Sequence, residues 1–123
     1  MSTRCNVTIF ERCEIGWREG PMLYHHWDGY PENMLPKLEH LLVKAIHTLS
    51  DRGYRVDALK LAAMVVAGSV SNDVPTFYPC HARNEDSDYQ YDVYVDGAGG
   101  LVEATDRDGV TVESVVIDVG GDE

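Results

Sequence analysis

The chain has 123 residues and a mass of 13.7 kDa, 44% hydrophobic and 25% charged, the makings of one globular domain. Its 10 Lys and Arg stand against 21 Asp and Glu, leaving a formal charge of −11 and a pI near 4.7. That excludes a domain that holds nucleic acid by counterion release and one held on an anionic membrane surface, because both need clustered bases.

The opening Met1-Ser2-Thr3-Arg4-Cys5-Asn6 has no apolar h-region, so no secretory signal is expected. The longest apolar stretch, Leu61 to Ala67, is far short of the roughly 20 residues that span a bilayer. Cys5, Cys13 and Cys80 are odd in number and contain no C-x-x-C pair, so neither a disulfide framework nor a zinc knuckle is expected. The cytoplasm is the expected compartment.

In chain order, Cys5, Val7 and Ile9 alternate with Asn6, Thr8 and Phe10, which predicts a strand. A glycine-bearing link around Ile15 to Gly20 leads into a second strand, Met22 to Trp27, and Asp28-Gly29-Tyr30-Pro31 turns the chain. Met34, Leu35, Leu38, Leu41, Leu42, Ala45, Ile46 and Leu49 repeat at helical spacing. Asn33 is the expected N-cap, Pro36 falls in the tolerant first turn, and Gly53 is the expected stop. A second helix is predicted from Ala58 to about Val70, capped by Asp57, with Leu59, Ala62, Ala63, Val66 and Val70 as its buried stripe. Asn72 to Arg83, with Pro75 and Pro79, reads as one long loop.

Three strands follow. Tyr89 to Val95 alternates at period two, with Tyr89, Tyr91, Val93 and Val95 on one face. Leu101 to Thr105 is the next, and Val110 to Val119, rich in β-branched residues, is the last. Their links, Asp96 to Gly100 and Asp106 to Gly109, carry glycine turn chemistry. The expected architecture is a single α+β domain over residues 1–123 in the order β-β-α-α-β-β-β. It is a five-stranded antiparallel sheet with both helices on one face, residues 84–119 forming a meander and 120–123 a frayed tail.

Resolved by region, the charge is one-sided. Residues 1–83 hold nine acids and nine bases, whereas residues 84–123 hold twelve acids opposed only by Arg107. A halophilic surface would spread its acids, and a disordered acidic tail would lack the alternation just described. Asp88, Asp92 and Asp96 share a face of one strand, spaced about 13 Å apart. Tyr94 shares that face, while the turn acids Asp106 and Asp108, and Glu103 and Glu113 on neighbouring strands, can fill the gaps laterally. Glu113 and Asp118 have opposite parity and cannot both join without a bulge. Such a field attracts proteins that hold phosphates with Lys and Arg; the plainer reading is a solvated, solubilising face.

The other dense segment is Tyr24-His25-His26-Trp27-Asp28-Gly29-Tyr30-Pro31. Neighbours on a strand face opposite ways, so His25 and His26 cannot chelate one ion together. His26 and Asp28 could share a metal only with a third ligand that no spacing identifies, so no metal or cofactor is expected. His40 and His47 lie on a polar helix face, and Cys80-His81 lacks the geometry a thiolate–imidazolium pair needs. Asp106-x-Asp108-Gly109 fails as a calcium loop, since Val110 and Thr111 stand where a ligand and a glycine are required. No phosphate-binding loop, dinucleotide glycine pattern or nucleophile elbow is present, so no catalytic residue is assigned and a non-enzyme is expected.

The Ser2-Thr3-Arg4 opening followed by His26-Trp27-Asp28-Gly29-Tyr30-Pro31 resembles a set of small phage and prophage proteins of unassigned function. The resemblance covers about the first third of the chain and implies a mobile-element origin, with no residue role to carry over. With the acidic meander it leads to one principal expectation, an inhibitor of a host defence complex of the anti-CRISPR type. It would be a monomer or homodimer that imitates nucleic acid and binds a basic nucleic-acid-binding channel, not nucleic acid itself or a membrane. Asp88, Asp92, Tyr94, Asp96, Glu103, Asp106 and Asp108 would carry that contact. The rival is a small-molecule, nucleotide-signal or metal-dependent hydrolase site at His25, His26, Trp27, Asp28 and Tyr30; a third reading is a minor virion or assembly protein.

Overall fold

The computed structural model describes residues 3–83, 86–96 and 99–118. Its elements run β1 (Cys5–Cys13), β2 (Gly16–His25), α1 (Pro31–Asp51), α2 (Ala58–Gly68), β3 (Val70–Ser71), β4 (Val74–Pro75), β5 (Phe77–Cys80), β6 (Tyr89–Val95), β7 (Gly99–Asp106) and β8 (Thr111–Asp118). The class is α+β, as expected. The sheet differs: it has six strands in the order β5-β2-β1-β6-β7-β8, beside a small β3–β4 ribbon. It is mixed, because β1 pairs with β6 in parallel while every other neighbour is antiparallel.

Both departures involve the chain between α2 and β6. The segment read as a long loop contains β5, which sits at the sheet's edge, where Pro79 need not donate to a second neighbour. Because β5 and β6 both run parallel to β1, the chain must return over the sheet between them. That return brings Ser87 Oγ within 2.7 Å of Asn6 Oδ1, on the face away from the helices.

The first hairpin is tighter and longer than expected, with Cys13 paired to Gly16 across Glu14-Ile15 and the second strand reaching back to Gly16. The β1–β2 pairing is bulged between Thr8 and Phe10, where Gly20 and Pro21 of β2 stand against Ile9 alone, and a Cβ on Gly20 would fall 2.5 Å from the Ile9 carbonyl oxygen. Only glycine lets the two backbones approach that closely.

The helix starts also shift. Tyr30, not Asn33, is the N-cap of α1, since Pro31 at the first position already has helical φ and lacks the N–H that would go unpaired. Asn33 instead donates from Nδ2 to the Asp28 carbonyl at 2.7 Å. This earlier start places Pro36 inside the helix, beyond its first turn. Asp57 caps α2 as expected, accepting from Lys60 N at 2.9 Å and pairing with Lys60 Nζ at 2.7 Å; those bonds hold its carboxyl below the usual range. The stripe of α2 is rotated: Ala58, Leu61, Ala62 and Val65 are buried, while Leu59 is 74% exposed and Ala63 and Val70 are exposed. An 11-residue helix that is apolar almost all round gives no periodic signal to choose a face.

Both helices pack on one face of the sheet, α1 over β7 and β8 and α2 over β1, β2 and β5. The core they enclose joins Leu38, Leu42 and Ile46 of α1 to Val7, Ile9, Tyr91, Val93 and Val102 of the central strands. Tyr91, Val93 and Val95 face it as the alternation predicts. Among the described residues no helix is long and apolar enough to cross a membrane. Among the described residues the opposite face of the sheet carries no helix, and Asp92 and Glu103 of the meander lie there.

Candidate functional site

Register decides which side chains share the open face. Thr8, Asp92, Glu103 and Ser114 form one row across β1, β6, β7 and β8. Phe10, Tyr94, Leu101 and Val116 form the next, about 7 Å further along the strands.

In the first row Asp92 stands directly opposite Glu103. Like charges so placed destabilise a sheet, and among the described residues neither makes an ion pair. Gln90, buried beside them, donates from Nε2 to Thr8 Oγ1 at 2.8 Å and to Asp92 Oδ1 at 2.9 Å, which orients that carboxylate. Its Oε1 is buried without a hydrogen-bond partner among the described residues.

In the second row Tyr94 stacks on Phe10 at 4.8 Å and meets Trp17 edge-on at 5.3 Å. The Arg12 guanidinium, directly across the hairpin from Trp17, lies over that ring, 5.6 Å from its centre. Burial and then the charges of Asp92 and Glu103 push the Tyr94 phenol up, so its hydroxyl stays a neutral donor beside the acids.

The remaining predicted acids are distributed to the two ends of this face rather than gathered on it. Asp88 accepts from Arg4 N at 3.1 Å and lies 3.6 Å from Arg107 Nε. Asp106 points away from the open row, opposite Tyr89, and its Oδ1 accepts from the backbone N–H of Asp108 and Val110 at 2.9 and 3.1 Å. Asp108 is exposed in that turn. These three border a cleft of about 630 Å³ with Asp86, Arg4 and Arg107. Asp96 is exposed past the far end of β6. Glu113 and Asp118 keep opposite parity, opposite Ala104 and Gly99 respectively, and the bulge in this pairing falls at Val112 of β8, outside the Glu113–Asp118 stretch.

Arg107 is therefore not the acidic third's only base. Arg4, from the neutral part of the chain, reaches Asp86 Oδ2 at 3.6 Å. Sequence reasoning also missed Phe10 and Trp17 as partners of Tyr94, since nothing local reveals that β1 lies beside β6.

The residues of the rival site are engaged in holding the chain. His25 faces the core, stacks on Phe77 at 4.5 Å and places Nδ1 2.8 Å from the Thr76 carbonyl. His26 turns the other way, its Nδ1 2.9 Å from the Tyr24 hydroxyl. Trp27 is 61% exposed and edge-on to His26. Asp28 adopts a left-handed φ of 52°, Gly29 follows in the bend, and Tyr30 caps α1. Among the described residues no three His, Cys, Asp or Glu are grouped to hold a metal ion. Cys5, with its Sγ 3.6 Å from Met34 Sδ, is pushed up to about 12 by burial; Cys80 is also raised by burial, so neither is poised as a thiolate.

Burial holds the His25 pKa below its usual 6.5, because imidazolium would be desolvated. The unfolded chain therefore takes up this proton first, and the stability due to a neutral His25 falls as pH drops below about 6.5. Asparagine at this position keeps a donor for the Thr76 carbonyl and removes the titration. Between pH 7 and 5 the parent chain is expected to lose more stability than the His25→Asn variant in denaturant melts; equal losses would mean His25 stays protonable in the fold. No protein-family model, no curated protein and no solved structure matches this chain.

Proposed function

We propose that this chain is a non-enzymatic binding protein that occupies the basic nucleic-acid-binding channel of another protein, its meander standing in for phosphates. Its phage-like opening makes a host defence complex the target class, in the manner of an anti-CRISPR inhibitor. The observation that carries the reading is the Asp92–Glu103 pair, two like charges held side by side at the centre of an open sheet face with no cation paired to either among the described residues. Folding alone is better served by almost any other pair, whereas a Lys- or Arg-lined surface would relieve the repulsion on contact. Asp88 and Asp108 towards one end and Asp96 towards the other extend the negative field along the strands.

The test is capture on the immobilised chain from a bacterial host lysate, at about 0.05 M and then about 0.5 M salt, with and without competing duplex DNA. Basic nucleic-acid-binding proteins are expected at low salt, displaced both by salt and by DNA. Partners that neither salt nor DNA displaces would defeat the mimicry reading. A ligand site at His25, His26, Trp27, Asp28 and Tyr30 has less support, because most of these groups are committed to the chain's own turn and core.

A further inference from the structure

Phosphate mimicry asks for carboxylates, and the row beside Asp92 and Glu103 is aromatic and aliphatic. Trp17 is 42% exposed and Val116 67% exposed. Between them Trp17, Tyr94, Gly100 and Leu101 line a groove of about 440 Å³, with Asp96 at its rim. Gly100 permits the close approach of β7 to β6 beside it, since a Cβ there would run into the Tyr94 carbonyl oxygen. Tyr94 is fixed on both sides, by the stacked Phe10 and the edge-on Trp17, so the groove wall is preformed.

The charges beside this groove select its occupant. A second copy would bring its own Asp92 and Glu103 towards the first pair and set −11 against −11. A wholly apolar partner would strip water from two carboxylates that make no ion pair among the described residues. A segment with one large apolar side chain flanked by Lys or Arg satisfies both rows at once. The rows are about 7 Å apart, the spacing of residues i and i+2 in an extended chain.

We propose that the Trp17–Tyr94–Leu101 groove is the anchor pocket for a single apolar side chain of a basic partner segment, whose flanking cations lie over Asp92 and Glu103. This rests on the function proposed above and adds to it: charge supplies attraction, and the groove supplies selection among basic surfaces. Most basic channels would meet the acids; only one presenting an apolar side chain at the right offset would also fill the groove.

Two synthetic lysine-rich peptides test this, identical except for leucine or serine at the centre, titrated against the full chain carrying Trp27→Phe so that Trp17 alone reports. The leucine peptide is expected to shift Trp17 emission and to bind about tenfold more tightly than the serine peptide. Leu101→Ser and Tyr94→Ser, each checked by thermal melt for an intact fold, are expected to erase that ratio by weakening the leucine peptide towards the serine peptide's affinity. Equal binding of the two peptides to the Trp27→Phe chain would overturn the anchor and leave the acidic reading standing. Binding of neither would overturn both. Concentration-dependent self-association in sedimentation, abolished by Tyr94→Ser, would assign the groove to a second copy and overturn the proposal.

Discussion

Gly29→Ala is expected to destabilise the fold by about 3 kcal/mol, lowering the melting temperature by roughly 10 °C. A Cβ at this position would lie 2.9 Å from the Thr3 carbonyl oxygen and 3.1 Å from both the Arg4 carbonyl carbon and Cys5 Cβ. Those are backbone and core atoms, which cannot swing aside as a flexible side chain can. The same glycine donates its N–H to Thr3 O at 2.8 Å and accepts the Tyr91 hydroxyl at 2.6 Å. It therefore ties the turn before α1 to the start of β1 and to the centre of β6, and displacement strains all three. Tyr91→Phe, which leaves the Gly29 carbonyl without this buried donor, is expected to cost about 1–2 kcal/mol. Trp27→Ala, two residues before the glycine but 61% exposed, is expected to stay within about 0.5 kcal/mol of the parent. A Gly29→Ala protein that melted like the parent would mean the segment is free to serve a ligand, and would revive the rival site.

That contrast shows what the sequence could and could not convey. The His26-Trp27-Asp28-Gly29-Tyr30-Pro31 run stands out by its density of aromatic and polar groups, yet its main work is conformational. Asp28 takes a left-handed φ, Gly29 permits a close approach, and Tyr30 and Pro31 open a helix. The signals for turn and for site use the same residue types. Only the partners Thr3, Tyr91 and Thr76, distant in the chain, separate the two.

Local periodicity read well wherever one face was buried and the other was not. Tyr89 to Val95 and the long run of α1 met that condition, and their inward residues are those the spacing predicts. It failed where the contrast vanished. α2 is apolar on nearly every side, so its buried stripe is set by packing against β1, β2 and β5. Phe77–Cys80 is too short and too proline-marked to announce a strand, yet it forms one because β2 offers an edge. The parallel β1–β6 pairing has no local signature at all. It is what brings Phe10 and Trp17 to Tyr94, and Thr8 to Asp92, so the aromatic half of the candidate site could not be seen in the sequence. The acidic half could, in outline: strand parity placed Asp92 and Glu103 correctly but could not show that Asp106 caps its own turn or that Arg4 crosses to Asp86.

Neutralising the pair, Asp92→Asn with Glu103→Gln, is expected to move stability and binding in opposite directions. The two carboxylates face each other across β6 and β7 with no cation among the described residues, so removing their charge should stabilise the fold by about 0.5–1 kcal/mol at low ionic strength. The gain should shrink in high salt, because the repulsion it relieves is screened. Asparagine keeps the oxygen that accepts from Gln90 Nε2, so the buried hydrogen bond to Thr8 and residue 92 survives and the change is electrostatic alone. For a basic partner the same substitution removes the central attraction. Its association rate should fall about tenfold or more at low salt and lose most of its salt dependence, and Asp92→Lys with Glu103→Lys should go further and abolish capture. A merely solubilising face predicts the first effect without the second: a more stable protein that binds as before. Destabilisation on neutralisation would instead mean that the carboxylates are paired within the fold, and the case for a partner at this face would fall with it. Natural chains keep destabilising charges at functional surfaces for this reason.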